Sequence, residues 1–233
     1  MLALFEKIDI YLFYLINREG QNAFFDDFMP FMSNEKNFYA LFGLVWLLFI
    51  IIGSGLLKRL VSRGQIIDRT RALGWLQAVS ASLDNRKFLA VAIGVIGLIS
   101  LSEWFSSGFL KPIFDRPRPY HSISGVHLYN RMAESWRVTP ELNEKIRGQS
   151  QSLPSSHATN IFAAAFFFSY FFRRFWPLFY LIALTVGYSR VYLGVHYPFD
   201  VLAGIFAGTL CGIAVAWICI TLFKYPRKQE EHP

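Results

Sequence analysis

The chain has 233 residues, 54% of them hydrophobic and 18% aromatic, and a formal net charge of +7. That length holds one domain and hardly two. So much Phe, gathered with other apolar residues into long uncharged runs, excludes an ordinary soluble domain and points to a membrane protein. The positive balance by itself fits nucleic acid, anionic lipid or an anionic substrate, and its placement has to decide. Cys211 and Cys219 lie eight residues apart in one predicted helix, about 12 Å along its axis. That is too far for a disulfide. They read as packed core thiols, and no Cys/His spacing suggests zinc.

Residues 1–17 are apolar but interrupted by Glu6, Lys7 and Asp9. They read as an uncleaved helix lying in the membrane interface, with Tyr11 and Tyr14 at headgroup depth. Residues 18–37 read as a polar, Phe-rich connector. The first clear span is 38–57, without a charge. A basic segment follows, with Lys58, Arg59, Arg63, Arg69, Arg71, Arg86 and Lys87 against Asp68 and Asp84. Inside it, 72–83 reads as a short interfacial helix. The second span is 88–110, with Glu103 towards its far end. A long polar loop, 111–157, comes next. The third span is 155–174, the fourth 175–193 and the fifth 201–223, and the tail 224–233 is polar and expected to be disordered. The expected fold is all-α: one domain, a polytopic membrane helical bundle of five clear spans plus an N-terminal interfacial or sixth membrane helix.

The positive-inside rule orients these spans. With the 58–87 loop in the cytoplasm, alternation places Arg173-Arg174 and the basic tail there too. The 111–157 loop and the turn at 190–200 then fall together on the outer side. That loop is also basic, through Lys111, Arg116, Arg118, Arg131, Arg137, Lys145 and Arg147. Binding an anion is a reason for an outward basic loop. Gly204, Gly208 and Gly212 give the last span a small-residue stripe suited to close helix packing inside the bundle. No nucleic-acid motif or dinucleotide fingerprint is present.

Three polar stretches beside apolar runs carry the chemistry, because polar groups at that depth are costly. In Ser189-Arg190-Val-Tyr-Leu-Gly-Val-His196-Tyr-Pro-Phe-Asp200, His196 and Asp200 share a face if the last helix reaches back through the turn. An aspartate so placed fixes the histidine's tautomer and supports charge on the ring, fitting it for nucleophile or base. Taken alone, the pair equally describes a tie between a loop and a helix start. Pro154-Ser155-Ser156-His157 reads as a capped helix start whose free N–H groups favour an anion. His157 there suits protonation of a leaving oxygen, although a plain capping turn has the same sequence. No Gly-x-Ser-x-Gly elbow accompanies Ser155 as a hydrolase nucleophile. In Lys111-Pro-Ile-Phe-Asp-Arg116-Pro-Arg118-Pro119, prolines stiffen a segment whose arginines grip phosphate. A basic patch on lipid headgroups is the alternative. Together the stretches supply Lys111, Arg118 and Arg190 for a dianion, two histidines for acid and nucleophile, and Asp200 for orientation. No carboxylate cluster suited to magnesium is evident, so the chemistry reads as metal-free phosphoryl transfer, with no cofactor.

Lys111-x6-Arg118-Pro119, Pro154-Ser155-Ser156-His157 and Ser189-Arg190-x5-His196-x3-Asp200 together resemble the three-part signature of the type 2 phosphatidic acid phosphatase family, membrane lipid phosphatases related to glucose-6-phosphatase and the vanadium haloperoxidases. The resemblance covers 111–200 with spans on both sides. It implies that His196 attacks phosphorus and becomes phosphorylated, with Asp200 supporting it. It implies that His157 protonates the leaving group, that Lys111, Arg118, Ser155 and Arg190 bind phosphate, and that about six membrane helices surround the site. The family's second motif usually reads Pro-Ser-Gly-His. Ser156 departs from it, which is harmless if the backbone there is helical, and its hydroxyl is then a further candidate phosphate contact.

The resulting expectation is a phosphatase of the cytoplasmic (inner) membrane, acting on its outer face on a lipid phosphate: phosphatidylglycerol phosphate, phosphatidic acid, undecaprenyl pyrophosphate or lipid A 1-phosphate. No obligatory protein partner and no nucleic acid is implied. A phosphotransferase passing the group to another lipid uses the same residues. A non-enzymatic lipid-binding or transport protein needs none of His157, His196 and Asp200.

Overall fold

A computed structural model describes residues 2–34, 36, 43, 47, 85–140 and 151–224. The expected span at 38–57, the interfacial helix at 72–83 and the tail beyond Lys224 lie outside these, apart from isolated positions. The described chain is mostly helical. It divides into two compact units, one of 1–35 with 98–214 and one of 36–97 with 215–233.

The first unit opens with α1, Leu2–Tyr14, which runs into a π-helical turn at Leu15–Glu19. Asp9, Phe13 and Asn17 are fully buried, and their spacing of four sets them on one face. Leu4, Phe5 and Tyr11 face outward instead. This polarity is inverted relative to a water-soluble helix and suits an apolar surround. The expected connector at 18–37 is corrected: α2 spans Ala23–Ser33 within it. Asn22 begins that helix by accepting the Phe25 N–H at 3.0 Å.

Helix α3, Asn85–Glu103, continues through a π-helical stretch at Trp104–Leu110 into α4, Lys111–Phe114. The whole run Arg86–Phe114 is long and apolar enough to cross a membrane. It ends at Asp115, which takes the left-handed conformation. Lys111 therefore lies on a helix, not in a loop as expected. The rest of the expected loop is not featureless either. It holds an antiparallel hairpin, β1 His127–Asn130 with β2 Ser135–Val138, pairing Tyr129 with Trp136. Among the described residues the fold is thus mostly helical, as expected, with one two-stranded hairpin added to it. His127 stacks on Trp136 with ring centroids 4.2 Å apart, and buried Leu128 anchors the strand.

Helices α5, Ser156–Phe171, and α6, Trp176–Tyr192, follow, inside the runs 155–174 and 175–193. At 16 and 17 residues they fall just below and at the lower limit of about 17 for crossing a bilayer core. The last helix, α7, spans Pro198–Phe223 and is the second described helix long and apolar enough to cross. A cluster of Phe13, Val126, Leu128, Ala158, Val191, Tyr197 and Val201 forms the core of this unit. Asn17 ties three parts of it together. Its Nδ2 donates to the carbonyls of His127 and Tyr192, both at 2.8 Å, and its Oδ1 accepts the His127 N–H. Gly194 closes α6 with φ +77°, and a Cβ there would stand 2.7 Å from the His127 carbonyl oxygen, so only glycine fits.

The glycine stripe packs within the chain. A Cβ at Gly204 would lie 2.7 Å from the Ser155 carbonyl oxygen, and Gly208 and Gly212 face the α5 backbone in the same way. In the second unit, Ala90, Val91 and Val95 of α3 are buried, as are Val215, Ala216 and Cys219 of α7. Arg86 there donates to the Lys224 carbonyl at 3.3 Å.

Candidate active site

The turn between α6 and α7 places His196 and Asp200, both buried. The Val195 and His196 N–H groups donate to the Arg190 carbonyl at 3.2 Å, which folds the turn back on the end of α6. Asp200 lies in the first turn of α7, where a carboxylate is favoured by the helix dipole. Its Oδ2 accepts the Tyr197 N–H at 2.8 Å and stands 3.6 Å from Nδ1 of His196. That is ion-pair range, longer than a hydrogen bond. Burial first, then Arg118, Arg190 and Lys111, push the His196 imidazole well below its ordinary value. The ring is neutral at pH 7, the form with a free lone pair.

The second motif is held against the third by backbone. The Ser155 N–H donates to the Asp200 carbonyl at 3.0 Å. Ser155 is buried and caps α5, its hydroxyl accepting the Ala158 N–H at 3.5 Å. The hydroxyl expected to contact phosphate thus also accepts as a helix cap, a bond that does not use its own O–H. Ser156 opens the helix and is not among the residues with positive φ, so the backbone accommodates a side chain where the family's glycine usually stands. Its hydroxyl lies 3.0 Å from that of Ser107, which donates to Glu103 at 2.6 Å; Glu103 in turn accepts from Asn160 at 2.7 Å. Ser156→Gly is expected to keep phosphate release within about threefold. It should lower stability by at most about 1 kcal/mol, the helix cost of glycine. Steady-state rates and thermal unfolding check this.

The cations converge on the two histidines. Arg118, Arg190 and Arg131 act electrostatically on His157, as does His196. Lys111, Arg118 and Arg190 act on His196. All three sequence motifs thus meet in one place. Arg118 presents a buried Nε with no hydrogen-bond partner among the described residues, a donor suited to an anion. Arg190 is nearly fully buried, and its Nη1 donates to the Ser33 hydroxyl at the end of α2. Arg131, from the hairpin turn, donates to the carbonyl and hydroxyl of the same serine at 2.8 and 3.1 Å.

The sequence places Arg116 only among the phosphate-gripping arginines of its segment, and gives no role in the site to Asp9, Ser33 or Glu103. Arg116 donates through Nη1 to Asp200 Oδ1 at 2.8 Å and through Nη2 to Asp9 Oδ2 at 2.6 Å. A charge interrupting the apolar N-terminal run was the available signal for Asp9. In the outer loop, Tyr120 and Arg137 line a cavity of about 220 Å³ with His121 and Thr139. Tyr129 and Trp136 pack on each other, and Trp136 also meets Tyr192. Lys145 and Arg147 lie outside the described residues.

A helical unit that gathers two histidines, an aspartate and a set of cations from three ordered motifs defines a phosphoryl-transfer class of protein. The chain belongs to the PAP2 superfamily, whose model matches residues 88–225. It is 32% identical over 128 residues to a lipid A 4'-phosphatase of Porphyromonas gingivalis, covering 52% of this chain and 49% of that protein. It is 35% identical over 183 residues to phosphatidylglycerophosphatase B of Bacillus subtilis, covering 71% and 88%. The chain spans about half the length of the lipid A 4'-phosphatases it matches. In fold it is similar to LpxE of Aquifex aeolicus, with TM-score 0.56, 24% identity and coverage of 88% and 93%.

Proposed function

We propose that this chain is an integral membrane phosphatase that removes phosphate from a lipid through a phosphohistidine, at the outer face of the cytoplasmic membrane. The observation that carries this is the gathering of Arg118 and Arg190 about both His157 and His196, with Lys111 acting on His196 as well and Asp200 behind His196. Names of relatives, lipid A phosphatases and a phosphatidylglycerophosphatase among them, support a lipid substrate. The run Arg86–Phe114 and helices α5, α6 and α7 are assigned as spans, with α1 in the interface. The run at 38–57 keeps its sequence-based assignment. The orientation rests on the positive-inside rule.

In the proposed course, the neutral His196 ring attacks phosphorus in line, and the bond from phosphorus to the lipid oxygen breaks. His157 gives that oxygen its proton. Lys111, Arg118 and Arg190 stabilise the charge spread over the equatorial oxygens, and Asp200 balances the positive phosphoimidazole. Water then attacks the phosphohistidine, His157 takes its proton, and inorganic phosphate leaves. The fixed cations supply the charge that a metal ion supplies in other phosphatases.

The test is phosphate release by the purified full-length chain in detergent with excess chelator. The panel is phosphatidylglycerol phosphate, phosphatidic acid, undecaprenyl pyrophosphate, lipid A 1-phosphate and glucose 6-phosphate. Chelator-resistant release from a lipid phosphate and none from the sugar phosphate is the expected result. Label passing to an acceptor lipid in preference to water replaces hydrolysis with transfer. No release from any substrate overturns the proposal.

A further inference from the structure

We infer that Asp9, on the N-terminal helix α1, is a positioning residue for the His196–Asp200 pair, acting through Arg116. This rests on the phosphohistidine reading. Asp9 is buried and sits far from all three motifs in sequence. Its Oδ2 takes Nη2 of Arg116 at 2.6 Å, while its Oδ1 accepts the Phe199 N–H at 2.9 Å, next to Asp200. Arg116 gives its other terminal nitrogen to Asp200 at 2.8 Å. Its guanidinium also lies 4.1 Å from the centre of the Tyr197 ring. One planar fork therefore spans two buried carboxylates, a task that a lysine's single ammonium performs poorly.

Charge accounting explains why two carboxylates are needed. Arg116 alone beside Asp200 would cancel the negative charge that has to support His196. With Asp9 on its far side, the guanidinium is shared, and the three groups together keep one net negative charge. Burial raises the Asp9 carboxyl above its ordinary value, while Phe199 and Arg116 lower it. Both of its oxygens accept from donors, one of them charged, an arrangement that serves the ionised form. The fork also fixes where Oδ1 of Asp200 points and leaves Oδ2 turned towards His196. Asp9 touches no reacting atom; it sets the charge and aim of the residue that does.

The charged and titratable groups facing His196 are Lys111 on α4, Arg118 in the segment after it, His157 on α5, Arg190 on α6 and Asp200 on α7. Among the described residues, Asp9 is the group that reaches Asp200 through the fork, so neutralising it changes one charge and leaves the others in place.

Asp9→Asn keeps the shape and the acceptor for the Phe199 N–H, removes the charge, and replaces the oxygen that accepts from Arg116 Nη2 with an amide nitrogen that cannot. In full-length protein it is expected to lower kcat by about tenfold to a hundredfold, the range for outer-shell partners of a catalytic group, with KM within about twofold. The acid limb of kcat/KM should move to lower pH, because less negative charge near His196 makes its ring harder to protonate. A packing defect leaves that limb in place. Arg116→Lys keeps the charge but not the fork, and is expected to show a similar loss of kcat, which guards against misfolding of the first variant. NMR titration of the imidazoles, assigned by comparison with His196→Gln, reads the same downward shift in Asp9→Asn without any turnover. Wild-type kcat in both variants, or an unmoved His196 titration in folded Asp9→Asn, overturns the inference. Wild-type protein that releases no phosphate counts against the phosphatase reading alone, and the NMR arm still decides the role of Asp9.

Discussion

His196→Ala is expected to release no measurable phosphate from any lipid, a fall of about 10⁴-fold or more, as when a covalent nucleophile is removed. Among the described residues of the site, none is placed to take its part. His157, the other ring in the site, sits at the start of α5, and Asp200 is already committed to Arg116 and the Tyr197 N–H. Lys111, Arg118 and Arg190 remain in the variant, so inorganic phosphate or vanadate should still bind within several-fold of the wild-type affinity. Binding without turnover separates loss of the nucleophile from loss of the fold, and thermal unfolding supplies a second check. Removal of the buried ring leaves a cavity, which costs stability but does not account for a rate at zero. A rate close to wild type would end the phosphohistidine mechanism.

His157→Gln carries the second large effect, and its signature is a change in which step is slow. A glutamine retains the hydrogen-bonding shape but has no proton to give at neutral pH. With a lipid phosphate, whose leaving oxygen is a poor one, turnover is expected to fall by about 10²–10⁴-fold, the usual scale of general acid catalysis. With an aryl phosphate, whose phenol leaves without help, the first step should recover. Hydrolysis of the phosphohistidine still needs a base, so one equivalent of phenol should appear in a burst, followed by slow turnover. Rapid quench in alkali, where phosphohistidine survives, should then recover labelled protein, and quench in acid should not. Equal slowing of lipid and aryl substrates, with no burst, would remove His157 from the leaving-group step.

The sequence was most informative where function is encoded by short spacings. His196 and Asp200 are four residues apart and meet across one helix start. The runs read as the third and fourth spans contain α5 and α6 almost end to end. The glycine stripe also read correctly as internal packing, because a face without side chains has few other uses. What stayed hidden depends on partners distant in sequence. The negative charge of Asp9 was visible as an interruption, but nothing local pairs it with Arg116. The same holds for Ser33, whose hydroxyl meets Arg190 and Arg131 only after α2 has packed. The hairpin was missed for another reason. Strands of four residues are too short for alternation to stand out from a polar segment, and its stability comes from His127, Trp136 and Asn17 across the fold. Helix α2 was missed although Asn22 offered a capping signal, since Pro30 and the paired acids at Asp26 and Asp27 disguise its periodicity.

The fork of Arg116 also sets an order of events during biosynthesis. Asp9 leaves the ribosome 107 residues ahead of Arg116, and Arg116 comes 84 residues ahead of Asp200. At about 5–20 residues per second, the first carboxylate waits several seconds for its counter-charge, and that counter-charge waits again for the second carboxylate. Until residues 196–200 are made, the nascent chain has Asp9 and Arg116 but neither His196 nor Asp200. On the proposed mechanism, activity therefore waits for a single late step, the arrival of Asp200 with the last helix at the fork of Arg116.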